Sequence, residues 1–159
     1  FLNKTTKKLT KQKLKKMGKT IIVLRHGFAD NQGNLLPQGK DLASLVGEKL
    51  SVLYPGVIWE VWSSLQKRAF DTAECIIEKI NTSRPVSTTS ALNMYEDVYH
   101  TFNLIERSEA EYILLVTHQS NIVEMYKQEG KKIPVISYCE GVVMNQDASQ
   151  FETFKIENN

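Results

Sequence analysis

Thr20-Ile21-Ile22-Val23-Leu24-Arg25-His26-Gly27 decides how the rest of the chain is read. The run from Thr20 to Leu24 is short, nearly continuous in apolar residues and rich in β-branched ones. It suits a strand buried on both faces of a sheet. At Arg25 it breaks into two basic residues and a glycine.

The neighbouring segments alternate helix with strand. A polar loop spans residues 27–36, and Pro37 suits the first position of a helix. Leu42, Val46, Leu50 and Leu53 recur there at helical spacing before Tyr54-Pro55-Gly56 ends the pattern. Val57 to Trp62 reads as the second strand. Ser63 is placed to cap the next helix, with Gln66 three residues on. Leu65, Ala69, Ala73, Ile76, Ile77 and Ile80 mark one face of that helix as far as Asn81. Arg84-Pro85-Val86 leads to a short edge strand, and a helical region covers residues 96–110. Tyr112 to Val116 is the third strong strand, after which Ser120 is expected to cap a helix ending near Gly130. Gly141–Met144 and Phe151–Ile156 read as a strand pair joined by a polar turn. Strands separated by helices imply a three-layer α/β/α fold with a mostly parallel central sheet and an antiparallel edge.

The chain has 159 residues and a net charge of +2, unevenly spread. Residues 1–19 carry eight Lys and no acid, so residues 20–159 sum to −6. The expected organisation is a basic, solvated arm over 1–19 and one domain over 20–159. Nucleic acid is disfavoured as a partner, because the lysines lack the interleaved aromatic residues of a stacking platform. No segment approaches the roughly 20 apolar residues of a membrane span. Cys75 and Cys139 form no CxxC or Cys/His cluster, and Cys75 falls in an apolar helical pattern that suggests a buried thiol. No metal or other cofactor is expected. The chain starts at Phe1, so the compartment stays open between cytoplasmic and periplasmic or secreted.

In a parallel sheet the strands' carboxyl ends share one rim, and ligands bind beyond it. The first strand ends in Arg25-His26, the second runs into Ser63-Ser64 with Arg68 a turn further, and the third ends in Thr117-His118-Gln119. Strand polarity alone therefore gathers two guanidiniums and two imidazoles. Arg binds phosphate oxygens through paired hydrogen bonds, and an imidazole whose tautomer is fixed can attack phosphorus. The chemistry indicated is binding and transfer of a phosphoryl group. For Ser63 and Ser64 the reading is helix capping.

These segments resemble the motifs of the histidine phosphatase superfamily, the phosphoglycerate mutase-like proteins, in its short single-domain branch. Leu24-Arg25-His26-Gly27 is similar to the family signature. Leu35-Leu36-Pro37-Gln38-Gly39 with Ala43 is similar to the following helix start, with Leu36 in place of Thr. Ser63-Ser64-Leu65-Gln66-Lys67-Arg68-Ala69 with Thr72-Ala73 resembles the Ser-Ser-Pro block, and Val116-Thr117-His118-Gln119 resembles the closing Val-Ser-His-Gly. The resemblance implies catalysis through a phosphohistidine on His26, with Arg25, Arg68 and His118 forming the phosphate pocket and no metal. Gln119 replaces a glycine, adding a side chain at the substrate rim.

The family's usual proton-donating Glu would fall near Leu92-Asn93-Met94, where this chain has no acid. Glu96 is the first candidate by proximity, with Asp97 and Asp30 behind it. Alternatively, Glu96 and Asp97 only favour the start of the following helix. His100 is read as a loop or surface residue, and Glu140 is a further acid that the last strands could bring towards the rim. The expectation is a phosphatase acting on phosphomonoesters or phosphohistidine, with a phosphorylated small molecule or phosphoprotein as partner. The alternative is a non-catalytic phosphate-binding or interaction module that kept the pocket.

Overall fold

The computed structural model describes residues 18–156. The basic arm expected over residues 1–19 lies outside them as far as residue 17. Its last residue, Lys19, is buried rather than solvated, and its ammonium donates to the carbonyls of Ile105 and Ser108.

The elements follow the expected alternation. β1 (Thr20–Arg25) leads to α1 (Pro37–Leu53), β2 (Ile58–Ser63) and α2 (Lys67–Ile77). Two short strands follow, β3 (Asn81–Thr82) and β4 (Ser87–Thr88), then a 3-10 turn (Ser90–Leu92) and α3 (Val98–Arg107). β5 (Tyr112–Thr117), α4 (Gln119–Gln128), β6 (Gly141–Met144) and β7 (Phe151–Phe154) complete the domain. The sheet order is β3-β2-β5-β1-β6-β7, with β4 also pairing β2. β1 to β5 pair in parallel, and β6 and β7 form the antiparallel edge.

Strand periodicity builds the two cores. Ile22 and Leu24 of β1, with Leu114 and Val116 of β5, face α1 and α2 and join Ala43, Val46, Leu50, Ala73 and Ile76. Ile21, Val23, Ile113 and Leu115 face the other way, onto Val98 and Ile105 of α3 and Ile122 and Met125 of α4. Each fully buried aliphatic side chain contributes ~1.5–3 kcal/mol. That explains why these strands read as unbroken apolar runs rather than as alternating ones.

Several boundaries differ from the sequence reading. α2 begins at Lys67, four residues after Ser63, and no side chain caps it. Ser63 instead ends β2, buried, and Leu65 is exposed in the connecting turn. α2 also stops at Ile77, freeing Asn81 and Thr82 to pair with β2. α4 begins at Gln119 with His118 at its cap position, so Ser120 lies inside the first turn. Asp97 does favour a helix start, as its carboxylate accepts the Tyr99 N–H at 2.9 Å and caps α3. No helix among the described residues is long and apolar enough to cross a membrane.

Candidate active site

β5 lies between β1 and β2, which sets their three carboxyl ends side by side. The His26 N–H donates to the Thr117 carbonyl at 3.0 Å, and the Ser64 N–H to that of Val116 at 3.1 Å. The sheet ladder thus runs on for one residue beyond each strand, carrying the order of the main chain into the site. Arg25, His26, Arg68 and His118 all line one cleft of about 900 Å³.

His26 is buried, and its ring Nδ1 lies 2.8 Å from the Gly27 carbonyl oxygen. A carbonyl can only accept, so Nδ1 carries the proton and donates it, leaving Nε2 with a free lone pair. Burial lowers the His26 pKa to about 4, helped by Arg25 and Arg68 and opposed by the bond to Gly27. The imidazole is therefore neutral and nucleophilic at ordinary pH.

His118 stands edge-on to His26, with ring centroids 5.3 Å apart. Its pKa is also lowered to about 4, by burial first and then by His26, Arg68 and Arg25. His118 Nε2 lies 2.8 Å from Ser64 Oγ, which itself accepts the Gln66 N–H at 3.3 Å. This network is satisfied when the Ser64 hydroxyl donates to Nε2 and neutral His118 keeps its proton on Nδ1. That Nδ1 is buried with no partner among the described residues. An unpaired buried donor costs about 1–3 kcal/mol, which a ligand oxygen would recover.

Sequence reading assigned Ser64 to capping; the structure gives it to His118. Two adjacent serines at a helix start look like caps in sequence, and only the neighbouring strand reveals the partner.

Arg25 donates through a terminal NH to the Ile136 carbonyl at 3.0 Å. Its guanidinium lies 4.0 Å from the centre of the Tyr138 ring, close enough for cation–π attraction. The Arg25 Nε is buried and has no partner among the described residues, so it too can serve an anion. Tyr138 also approaches the rings of His26 and Phe28. No motif marks Tyr138 in the sequence, since it lies in an irregular segment far from the strands it packs on.

Arg68 reaches the same cleft from the first turn of α2. Thr72 fixes that helix to the loop that follows β1. Its buried hydroxyl donates to the Arg68 carbonyl at 2.6 Å and accepts the Gly27 N–H at 2.8 Å. α1 presses on the loop from the other side. A Cβ at Gly39 would lie 2.4 Å from the Phe28 carbonyl oxygen, so glycine is required for that approach.

The carboxyl candidates separate clearly. Glu96 and Asp97 are exposed in the cleft wall, with Asp97 occupied as the α3 cap. Asp30 is outside the cleft lining. It accepts the Gln32 and Asn34 N–H groups at 2.9 Å, bonds that lower its pKa and keep it ionised. Glu140 accepts the Ser137 N–H at 3.0 Å and does not line the cleft either, and His100 is exposed outside it. Where an acid was expected, Asn93 ties the loop to Leu65 and Asn121, while Met94 lines the cleft. Gln119 is exposed in the cleft wall at the start of α4.

Among the described residues, no group of three or more His, Cys, Asp or Glu could hold a metal ion. Cys75 is half-buried in α2, while Cys139 is fully buried; both are free thiols, and burial pushes the Cys139 pKa up to about 12.

No family model matches the sequence, and no curated protein matches it significantly. Solved structures do match. A protein histidine phosphatase, SixA, solved with tungstate, superposes with a TM-score of 0.75 at 16% identity, over 86% of this chain and 97% of that one. A phosphoglycerate mutase from Plasmodium falciparum gives 0.63 at 20% identity, over 89% and 92% of the two chains. A phosphoserine phosphatase from Entamoeba histolytica, in complex with 3-phosphoglyceric acid, gives 0.65 at 13% identity, over 89% and 98%.

Proposed function

We propose that this chain, which has the fold of the histidine phosphatases, is a metal-independent phosphatase using His26 as its nucleophile. The observation that carries the reading is the state of His26: neutral, with Nδ1 donating to Gly27 and Nε2 free beside two guanidiniums. Nε2 attacks phosphorus, and the bond from phosphorus to the leaving atom breaks with its electron pair on that atom. Arg25, Arg68 and the Nδ1–H of His118 donate to the phosphoryl oxygens, where negative charge concentrates. Water then attacks the phosphohistidine, the P–N bond breaks, and inorganic phosphate leaves. The tungstate bound by the SixA structure is an oxyanion of similar shape, in keeping with an anion pocket here.

The leaving group is the finer part of the proposal. An alkoxide must be protonated as it leaves, usually by a placed carboxylic acid. Glu96 is the candidate donor, but it stands exposed on the cleft wall rather than enclosed with the two imidazoles. The site therefore suits leaving groups that need little help, above all the imidazole of phosphohistidine, with aryl phosphates next.

A base-quenched reaction with a phosphohistidine peptide should place a phosphoryl group on His26, located by peptide mass mapping. His26→Ala should abolish turnover, and chelator should leave the wild-type rate unchanged. Glu96→Gln should change little if no acid is used. A selective loss on alkyl phosphates would instead make Glu96 the donor. Hydrolysis that survives in His26→Ala would sink the nucleophile assignment, whereas binding without any phosphoryl transfer would favour a non-catalytic pocket.

A further inference from the structure

The cleft of about 900 Å³ is far larger than one phosphoryl group needs, and its walls differ in charge from its base. The base holds Arg25 and Arg68. The walls hold Glu96 and Asp97 from the loop before α3, and Glu124 from α4. Among the described residues, the walls contribute no basic side chain to set against them. Glu124 pairs with Lys127 at 3.2 Å, but that contact is exposed and Lys127 lies outside the lining. The Glu96 carboxylate has no partner among the described residues, only the Glu96 N–H being bonded, to the Asn93 carbonyl. Tyr95, 83% exposed, stands beside it on the same wall.

The buried, unpartnered Nδ1 of His118 aims an anion at the bottom of this same cleft. A ligand must therefore present a phosphoryl group inward and tolerate three carboxylates further out. A small metabolite with a second phosphate or a carboxylate would set that second anion against the acidic wall. A cation placed beyond the phosphoryl group meets it favourably.

We propose that the cleft takes a phosphorylated side chain presented on a polypeptide with lysine or arginine close to it, Glu96 and Glu124 contacting the basic neighbour. The inference takes its catalytic chemistry from the phosphatase reading, but recognition itself does not depend on turnover. The room beyond the base and the exposed Tyr95 suit an extended segment rather than a compact metabolite. Rim charges of this kind set selectivity more than affinity, and salt weakens them.

The test uses wild-type protein and two peptides bearing phosphonomethyl-phenylalanine, a non-hydrolysable phosphate mimic, flanked by lysines in one and glutamates in the other. At low salt the lysine peptide should bind ~10-fold more tightly, the scale of a few partly exposed charge pairs. The preference should shrink as salt is raised, and the combined Glu96→Gln, Glu124→Gln variant should bring it close to parity. Phosphoethanolamine, which carries a cation without a polypeptide, should bind at least ~10-fold more weakly than the lysine peptide. Equal affinity for both peptides in the wild type would overturn the inference, as would a preference that survives in the variant. Phosphoethanolamine binding as tightly as the peptide would overturn its polypeptide part. Phosphorylation of His26 decides the phosphatase reading separately, so the two can fail independently.

Discussion

At the scale of single residues, the two imidazoles hold most of the proposed chemistry. Both are buried, both face guanidiniums, and His26 further opposes protonation of His118. Their pKa values of about 4 lie below the ordinary 6.5, so between those pH values the unfolded chain binds more protons than the folded one. The stability contributed by neutral His26 and His118 is therefore complete above pH 6.5 and is lost as pH falls towards 4. Ring C–H resonances followed by NMR should keep neutral shifts through pH 6 and move only near pH 4. The melting temperature should fall across the same interval. Midpoints near 6.5 for both rings would mean that the site is wetter than this structure indicates. Bound phosphate should push both midpoints up, since its negative charge replaces the cationic field the rings otherwise feel.

Among elements, the site depends on how closely α1 and α2 approach the loop after β1. Thr72 joins α2 to Gly27 through one hydroxyl, and Gly39 lets α1 lie against the Phe28 backbone. The Gly39 contact is backbone against backbone, so no side chain can swing aside to relieve an added methyl. Gly39→Ala should destabilise the protein by about 1–3 kcal/mol, the usual cost of overpacking. A urea midpoint measures the loss, and an unchanged midpoint would show that the loop yields freely. Because that loop also positions His26, turnover should fall with stability.

For the whole molecule, closure depends on contacts between distant parts of the chain. Lys19, immediately before β1, spans 86 residues of sequence to the Ile105 carbonyl and also caps the main chain at Ser108. It gives the Ser108 carbonyl at the end of α3 a donor and adds a second one to the Ile105 carbonyl, which also accepts the Ser108 N–H. Lys19→Met keeps the apolar stem and removes the donor. It should cost about 1–3 kcal/mol in equilibrium unfolding, the penalty for buried groups left unpaired. A loss near zero would mean that water satisfies those carbonyls instead.

What the sequence by itself determined was local periodicity and polarity. Apolar runs at Ile21–Leu24 and Ile113–Val116 specify buried strands, and helical spacing from Leu42 to Leu50 specifies α1. Strand polarity then assigns Arg25, His26, Arg68 and His118 to a single rim, where the structure places them. The antiparallel edge was legible too, because two short apolar runs flank a polar turn. Cap positions were legible only in part. Asp97 caps α3, but Ser63 and Ser120 look like caps in isolation, whereas α2 begins at Lys67 with no side-chain cap and Ser120 lies inside the first turn of α4. Tertiary structure alone decided that β5 lies between β1 and β2, that Ser64 serves His118, and that Tyr138 stacks on Arg25. Each of these contacts joins residues tens of positions apart, and no local spacing encodes such a pairing. They follow only once two cores must be closed against one sheet.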